Sequence, residues 1–174
     1  MALNAALLGK AYPALHYEVG REKLREFAGA VGEAAPVYHD VDVARAAGFA
    51  DLPAVPTFPV VLSMRAGQAA YADPELGVDY SRVVHGEQEF TYTRPVVAGD
   101  RLVATPTVVG IRSRGLHETL TIETAIATED GEPVCSARST VVIRGQAPVP
   151  FVPRGGAVAA AEAAGAPVPA GEPR

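Results

Sequence analysis

The segment from residue 58 to residue 70 constrains this chain most, because Phe58, Val60, Val61, Leu62, Met64, Ala66, Ala69 and Ala70 leave it apolar on nearly every side. Only Arg65 and Gln68 are strongly polar, and a helix of that kind has to be enclosed by the rest of its fold. Thr57 is expected to cap it, with Pro59 tolerated in the first turn. Beyond residue 80 the period of the apolar residues changes from 3.6 to 2. Strands are predicted over 83–93, 101–112, 116–128 and 134–143, with turn chemistry at 97–100, at 113–115 and at Asp130-Gly131. Consecutive strands joined by short turns form an antiparallel meander, and a strand half following a helical half is the α+β pattern.

The helical half has two further elements. In residues 21–31, Leu24, Phe27, Ala28 and Val31 recur at i, i+3, i+4 and i+7, the stripe of an amphipathic helix that Gly32 stops. A shorter helix is expected over 40–47, with Asp40 or Asp42 as cap and Gly48 as terminator. From Gln146 onward, Ala, Pro and Gly supply 19 of the last 29 residues, too little side chain to offset the entropy of ordering. The chain therefore divides into a domain over 1–145 and a mobile tail over 146–174.

Composition narrows the partners. A net charge of −5 and a pI near 5.4 leave no basic excess for phosphate, which argues against nucleic acid and anionic membrane surfaces. One cysteine, Cys135, excludes an intrachain disulfide and a multi-cysteine zinc site, and it is expected to pack as a small apolar residue. Neither a secretory leader nor a membrane span is recognisable, so a cytoplasmic location is expected. No phosphate loop, nucleotide fingerprint or metal cluster is present, and neither a cofactor nor a metal is expected.

Two stretches carry a family resemblance. The first, VVHGEQEFTYTRPVVAGDRL at residues 83–102, resembles the aromatic strand and Gly-Asp-terminated turn of MaoC-like dehydratases. The second, GEAAPVYHD at 32–40, resembles a degraded copy of the hydratase signature G-D-x-N-P-x-H. The resemblance covers residues 3–144 and is closest to HadA-like subunits of the (3R)-hydroxyacyl-ACP dehydratases of type II fatty acid synthase. It implies the hot-dog fold, a curved antiparallel sheet wrapped around one apolar helix.

The resemblance also implies a reaction, the reversible loss of water next to a thioester carbonyl. Active members use a carboxylate and an imidazole to move protons, and a backbone N–H before the central helix to hold the developing oxyanion. On this sequence Gly32 and Pro36 match, Glu33 takes the aspartate place, Ala35 replaces the asparagine and Tyr38 stands where the histidine belongs. His39 is one position late. Active relatives read Ala-His-Gly before the helix, whereas this chain reads Ala54-Val55-Pro56, and proline has no N–H to offer. No catalytic residue is therefore expected, and His39 with Glu33 forms the alternative dyad. Tyr38, Thr57, Phe58, Val61 and Met64 are the expected acyl-pocket residues, and His85 is assigned to an interface or the pocket. By resemblance the partner is a catalytic MaoC-like subunit in a heterodimer, or a second copy in a homodimer, acting on a thioester of acyl carrier protein or CoA. The alternatives are a self-sufficient homodimeric hydratase and a non-enzymatic acyl-binding protein.

Overall fold

Alternation of apolar and polar side chains sets the two longest strands. In the computed structural model, which describes residues 2–145, Leu102, Ala104 and Val108 face the core from Arg101–Arg114. Leu120, Ile122 and Ile126 do so from His117–Thr128. These strands are β3 and β4 of five: β1 is Leu15–Glu18, β2 Val83–Tyr92 and β5 Pro133–Ile143. All pairs are antiparallel, in the order β1-β3-β4-β5-β2, so the meander β3-β4-β5 forms the middle and β1 and β2 the edges.

The helices are α1 (Arg21–Ala30), α2 (Val41–Ala46) and α3 (Val60–Tyr71). Asp40 caps α2 as expected, its carboxylate accepting from the N–H groups of Asp42 and Val43. Strand β1 is too short for a periodicity signal; it is made by its register with β3, from Leu15 opposite Ala104 to Glu18 opposite Arg101.

Two expectations about α3 need correction. Thr57 does not cap it: the helix starts at Val60 after Pro59, Thr57 is exposed, and no side-chain cap bond forms. A cap at 57 would have to accept from an N–H two or three residues on, and Pro59 removes the first of these. Enclosure is also one-sided. Leu62, Ser63, Ala66, Gly67 and Ala70 are buried against the sheet, while Arg65, Gln68, Ala69 and Met64, the last 55 % exposed, face outward. Five strands curve over one side of the helix, and nothing else in the described chain covers the other.

Two apolar clusters lie along α3. At its start Phe58, fully buried, meets Phe27 edge to face at 5.4 Å between ring centroids and Tyr17 at 6.4 Å. At its end Leu3, Tyr12, Leu76, Val108, Leu120 and Ile143 form the second. The tail expected over 146–174 lies outside the described residues.

Candidate active site

The loop before α2 is built from its own side chains. Pro36 opens a 3-10 turn, Pro36–Tyr38, because its fixed φ suits the first position and its missing N–H is not needed there. The Glu33 carboxylate accepts from the Ala35 N–H at 2.8 Å, and the His39 Nε2 lies 2.7 Å from the Glu33 carbonyl oxygen, donating to it. Arg25 Nε donates to the His39 carbonyl at 2.9 Å, tying the loop to α1. Glu33 and His39 are thus brought into one loop, but each spends its functional group on backbone.

The segment before α3 forms the facing wall. Ala54 N–H donates to the Val96 carbonyl at 2.8 Å and Ala98 N–H to the Leu52 carbonyl at 2.9 Å. Asp51 secures its approach: the Arg21 guanidinium and the Leu52 N–H hold its carboxyl down at about 2. On the other side, Asp100 accepts from the Val97 N–H and takes both arms of Arg94, so that it sets the turn after β2.

Between these walls lies an apolar crevice of about 290 Å³, lined among others by Val37, Tyr38, Phe49, Pro56, Tyr92 and Val96. Among the described residues no carboxylate or imidazole lines it, and Tyr38, Tyr92 and Arg94 are its only ionisable side chains. Tyr92 donates its hydroxyl to the Pro56 carbonyl at 2.7 Å, and burial pushes that phenol well above its ordinary range. At Pro56 the backbone therefore presents an occupied acceptor and no donor. Such a space takes hydrocarbon and offers little that would move a proton.

A second groove of about 180 Å³ runs between one flank of α3, at Ser63, Met64, Gly67 and Tyr71, and the inner face of β2, β4 and β5. Ser63, Met64, Tyr71, His85, Thr124 and Ser139 are among its walls. His85 enters it through a bulge. Counted by parity, His85 falls on the face opposite Phe90 and Tyr92. The register shift between His85 and Glu87 inserts Gly86 as an extra residue, so His85 stands opposite Val141 as Phe90 stands opposite Ala137 and Tyr92 opposite Cys135. All three share the inner face. A Cβ at Gly86 would come within 3.2 Å of the Thr140 carbonyl oxygen, which is why glycine occupies the bulge.

The expected pocket residues therefore separate. Tyr38 lines the first crevice and Met64, with His85, the second; Val61 is half-buried against the first apolar cluster, Phe58 is entirely within it, and Thr57 is exposed. Phe49, Tyr92 and Arg94 were not singled out from the sequence, although the inner-face alternation of Phe90 and Tyr92 carried a signal for Tyr92. Cys135 is buried, and desolvation pushes its thiol up to about 11. Among the described residues no group of acidic, histidine and cysteine side chains is arranged to hold a metal ion, and no helix is long and apolar enough to cross a membrane.

One helix laid in a curved antiparallel sheet is the hot-dog architecture, and the family model and solved structures the chain matches are those of MaoC-like dehydratases. The chain belongs to the family described as FAS1-like, dehydratase domain region, whose model matches residues 6–137. It is 50 % identical over 151 residues to the UPF0336 protein of Saccharopolyspora erythraea, covering 86 % of this chain and 97 % of that one. Among solved structures it is similar to a MaoC-like dehydratase (TM-score 0.74, 30 % identity), covering 80 % of this chain but 42 % of the larger one. It is also similar to a chain of the HadBC (3R-hydroxyacyl-ACP dehydratase) complex from Mycobacterium tuberculosis (TM-score 0.71, 28 % identity), covering 78 % of this chain and 96 % of that one.

Proposed function

We propose that this chain is the acyl-binding and scaffolding subunit of a (3R)-hydroxyacyl-thioester dehydratase in fatty acid biosynthesis, acting beside a catalytic hot-dog partner. The observation that carries the reading is the crevice of Tyr38, Pro56 and Tyr92, where an apolar space lies beside a helix start with no N–H at Pro56 and no imidazole at Tyr38. An acyl chain fits such a lining, while proton transfer and oxyanion binding are left to the partner. The likeness to a chain of a heteromeric dehydratase supports the same division of labour. The thioester carrier in this reading is acyl carrier protein or CoA.

A second reading, a self-sufficient homodimeric hydratase, draws on the placement of His39 and Glu33 in one loop. One experiment separates the two: hydration of a trans-2-enoyl thioester by the lone chain, by His39→Ala, and by the chain mixed with a catalytic MaoC-like subunit. Loss of an oxyanion donor costs about 10² to 10³ in rate and loss of an acid or base about 10² to 10⁴, so the lone chain is expected to be near background. Activity in the mixture that ignores His39→Ala supports the subunit reading. Strong activity alone that vanishes in His39→Ala overturns it.

A further inference from the structure

On the outer face of the sheet, register sets charges of neighbouring strands side by side. Glu123 of β4 stands opposite Arg138 of β5, and Arg138 stands opposite Glu89 of β2. Arg138 Nε donates to the Glu123 carboxylate at 2.9 Å, and Glu123 first and Glu89 last both favour its charged form. The row reads acid, base, acid, and stops at Glu89 because β2 is an edge strand. Glu87, exposed on the same face, stands opposite Thr140, which brings no charge.

The Gly86 bulge blunts the first part of this edge, leaving Glu87 to Tyr92 as its regular stretch. A second copy pairing here would approach antiparallel about a two-fold axis normal to the sheet, outer face beside outer face. Registers centred on residues 87, 88 and 89 then set Glu87 against Glu87, Glu87 against Glu89, and Glu89 against Glu89, and one centred on residue 90 sets Glu89 against Thr91 with the two Glu89 as diagonal neighbours. Facing like charges destabilise a strand pair. No self-register sets a Lys or Arg of β2 opposite Glu89, because β2 contains none.

We propose that the β2 edge is built for a different hot-dog chain, one whose edge strand presents Lys or Arg opposite Glu89, and that Glu87 and Glu89 turn away a second copy of this chain. The inference rests on the subunit reading above and states the chemistry of the partner's strand.

The test uses the full chain with itself as probe. Sedimentation velocity at low ionic strength compares wild type, Glu87→Lys/Glu89→Lys, their equimolar mixture, and Glu87→Gln/Glu89→Gln. The mixture is expected to dimerise at least about tenfold more tightly than either component, with the gain lost near about 0.5 M salt. The glutamine variant, which removes repulsion without adding charge, is expected to self-associate several-fold more readily than wild type. It decides the matter if the lysine variant does not fold by circular dichroism. A wild-type dimer that the glutamine variant leaves unchanged, or a mixture no tighter than wild type, overturns the proposal. No thioester or catalytic subunit is present, so failure here removes the charge rule alone; failure of the subunit reading shows as enoyl-thioester hydration by the lone chain.

Discussion

The two ends of α3 are held by different physics. At its start, Phe58 sits among Phe27 and Tyr17, and the walls of the crevice are tied backbone to backbone through Leu52, Ala54, Val96 and Ala98. At its end, the N-terminal segment is latched by side-chain carboxylates. Asp73 accepts from Lys10 Nζ and from the Tyr12 hydroxyl, both at 2.7 Å, and buried Glu118 accepts from the Leu3 N–H at 2.9 Å and from the Ser113 hydroxyl at 3.2 Å. An apolar end responds to lost volume, whereas a latched end responds to pH and to lost acceptors. The crevice end is not free of charge, since the Arg21–Asp51 and Arg94–Asp100 pairs brace its walls from outside, but its lining is shaped by packing.

The largest effect expected from this contrast is at Phe58. Phe58→Ala removes a fully buried ring and leaves a cavity, and should cost about 3 to 5 kcal/mol in urea unfolding, with loss of the crevice. A loss below about 1 kcal/mol would mean that the aromatic cluster does not hold the site end. Glu118→Ala comes next, because it strands the Leu3 N–H; about 1 to 3 kcal/mol is expected, and less for Glu118→Gln, which keeps an acceptor. Equal losses for the two would show that the latch works by packing.

The acid limb of stability is shared by the two ends, because Asp51 at the crevice wall and Asp73 at the latch are both held at about 2, and a single substitution separates their shares. Lys10 foremost, then the Tyr12 hydroxyl, hold the Asp73 carboxyl at about 2 against an ordinary 3.8. Its folded value is depressed, so its contribution is complete above about pH 4 and drains away as pH falls toward 2. Asp73→Asn should flatten stability over that interval without moving the profile between pH 6 and pH 8 in shape; an unaltered acid limb would remove the latch from the account. The smallest effect is at Thr57. With no cap bond to lose, Thr57→Ala should change stability by less than about 0.5 kcal/mol, and a loss above about 1 kcal/mol would restore the cap in solution.

Much of the fold was legible where short-range chemistry decides. Strands predicted over 101–112 and 116–128 correspond to β3 and β4 within two residues, because each alternates over most of its length, β3 as far as Val108, and ends at a turn. Helix α2 was legible through Asp40, and the site loop through Pro36 and its neighbours. The facing wall was not. Phe49 and Arg94 reach the crevice from places far apart in sequence, and neither lies in a pattern with the residues it meets.

The amino-acid order by itself determined the periods, the Asp40 cap and the residues that stand at 33, 38, 39 and 56, since these follow from side-chain type and local spacing. Only the tertiary structure decided which way those elements face. One extra residue at Gly86 reverses parity and turns His85 inward, a four-residue strand exists because β3 pairs with it, and α3 keeps one face open because the sheet covers only the other. Each of these is a long-range pairing whose partner lies tens of residues away, and no local pattern encodes where that partner will be.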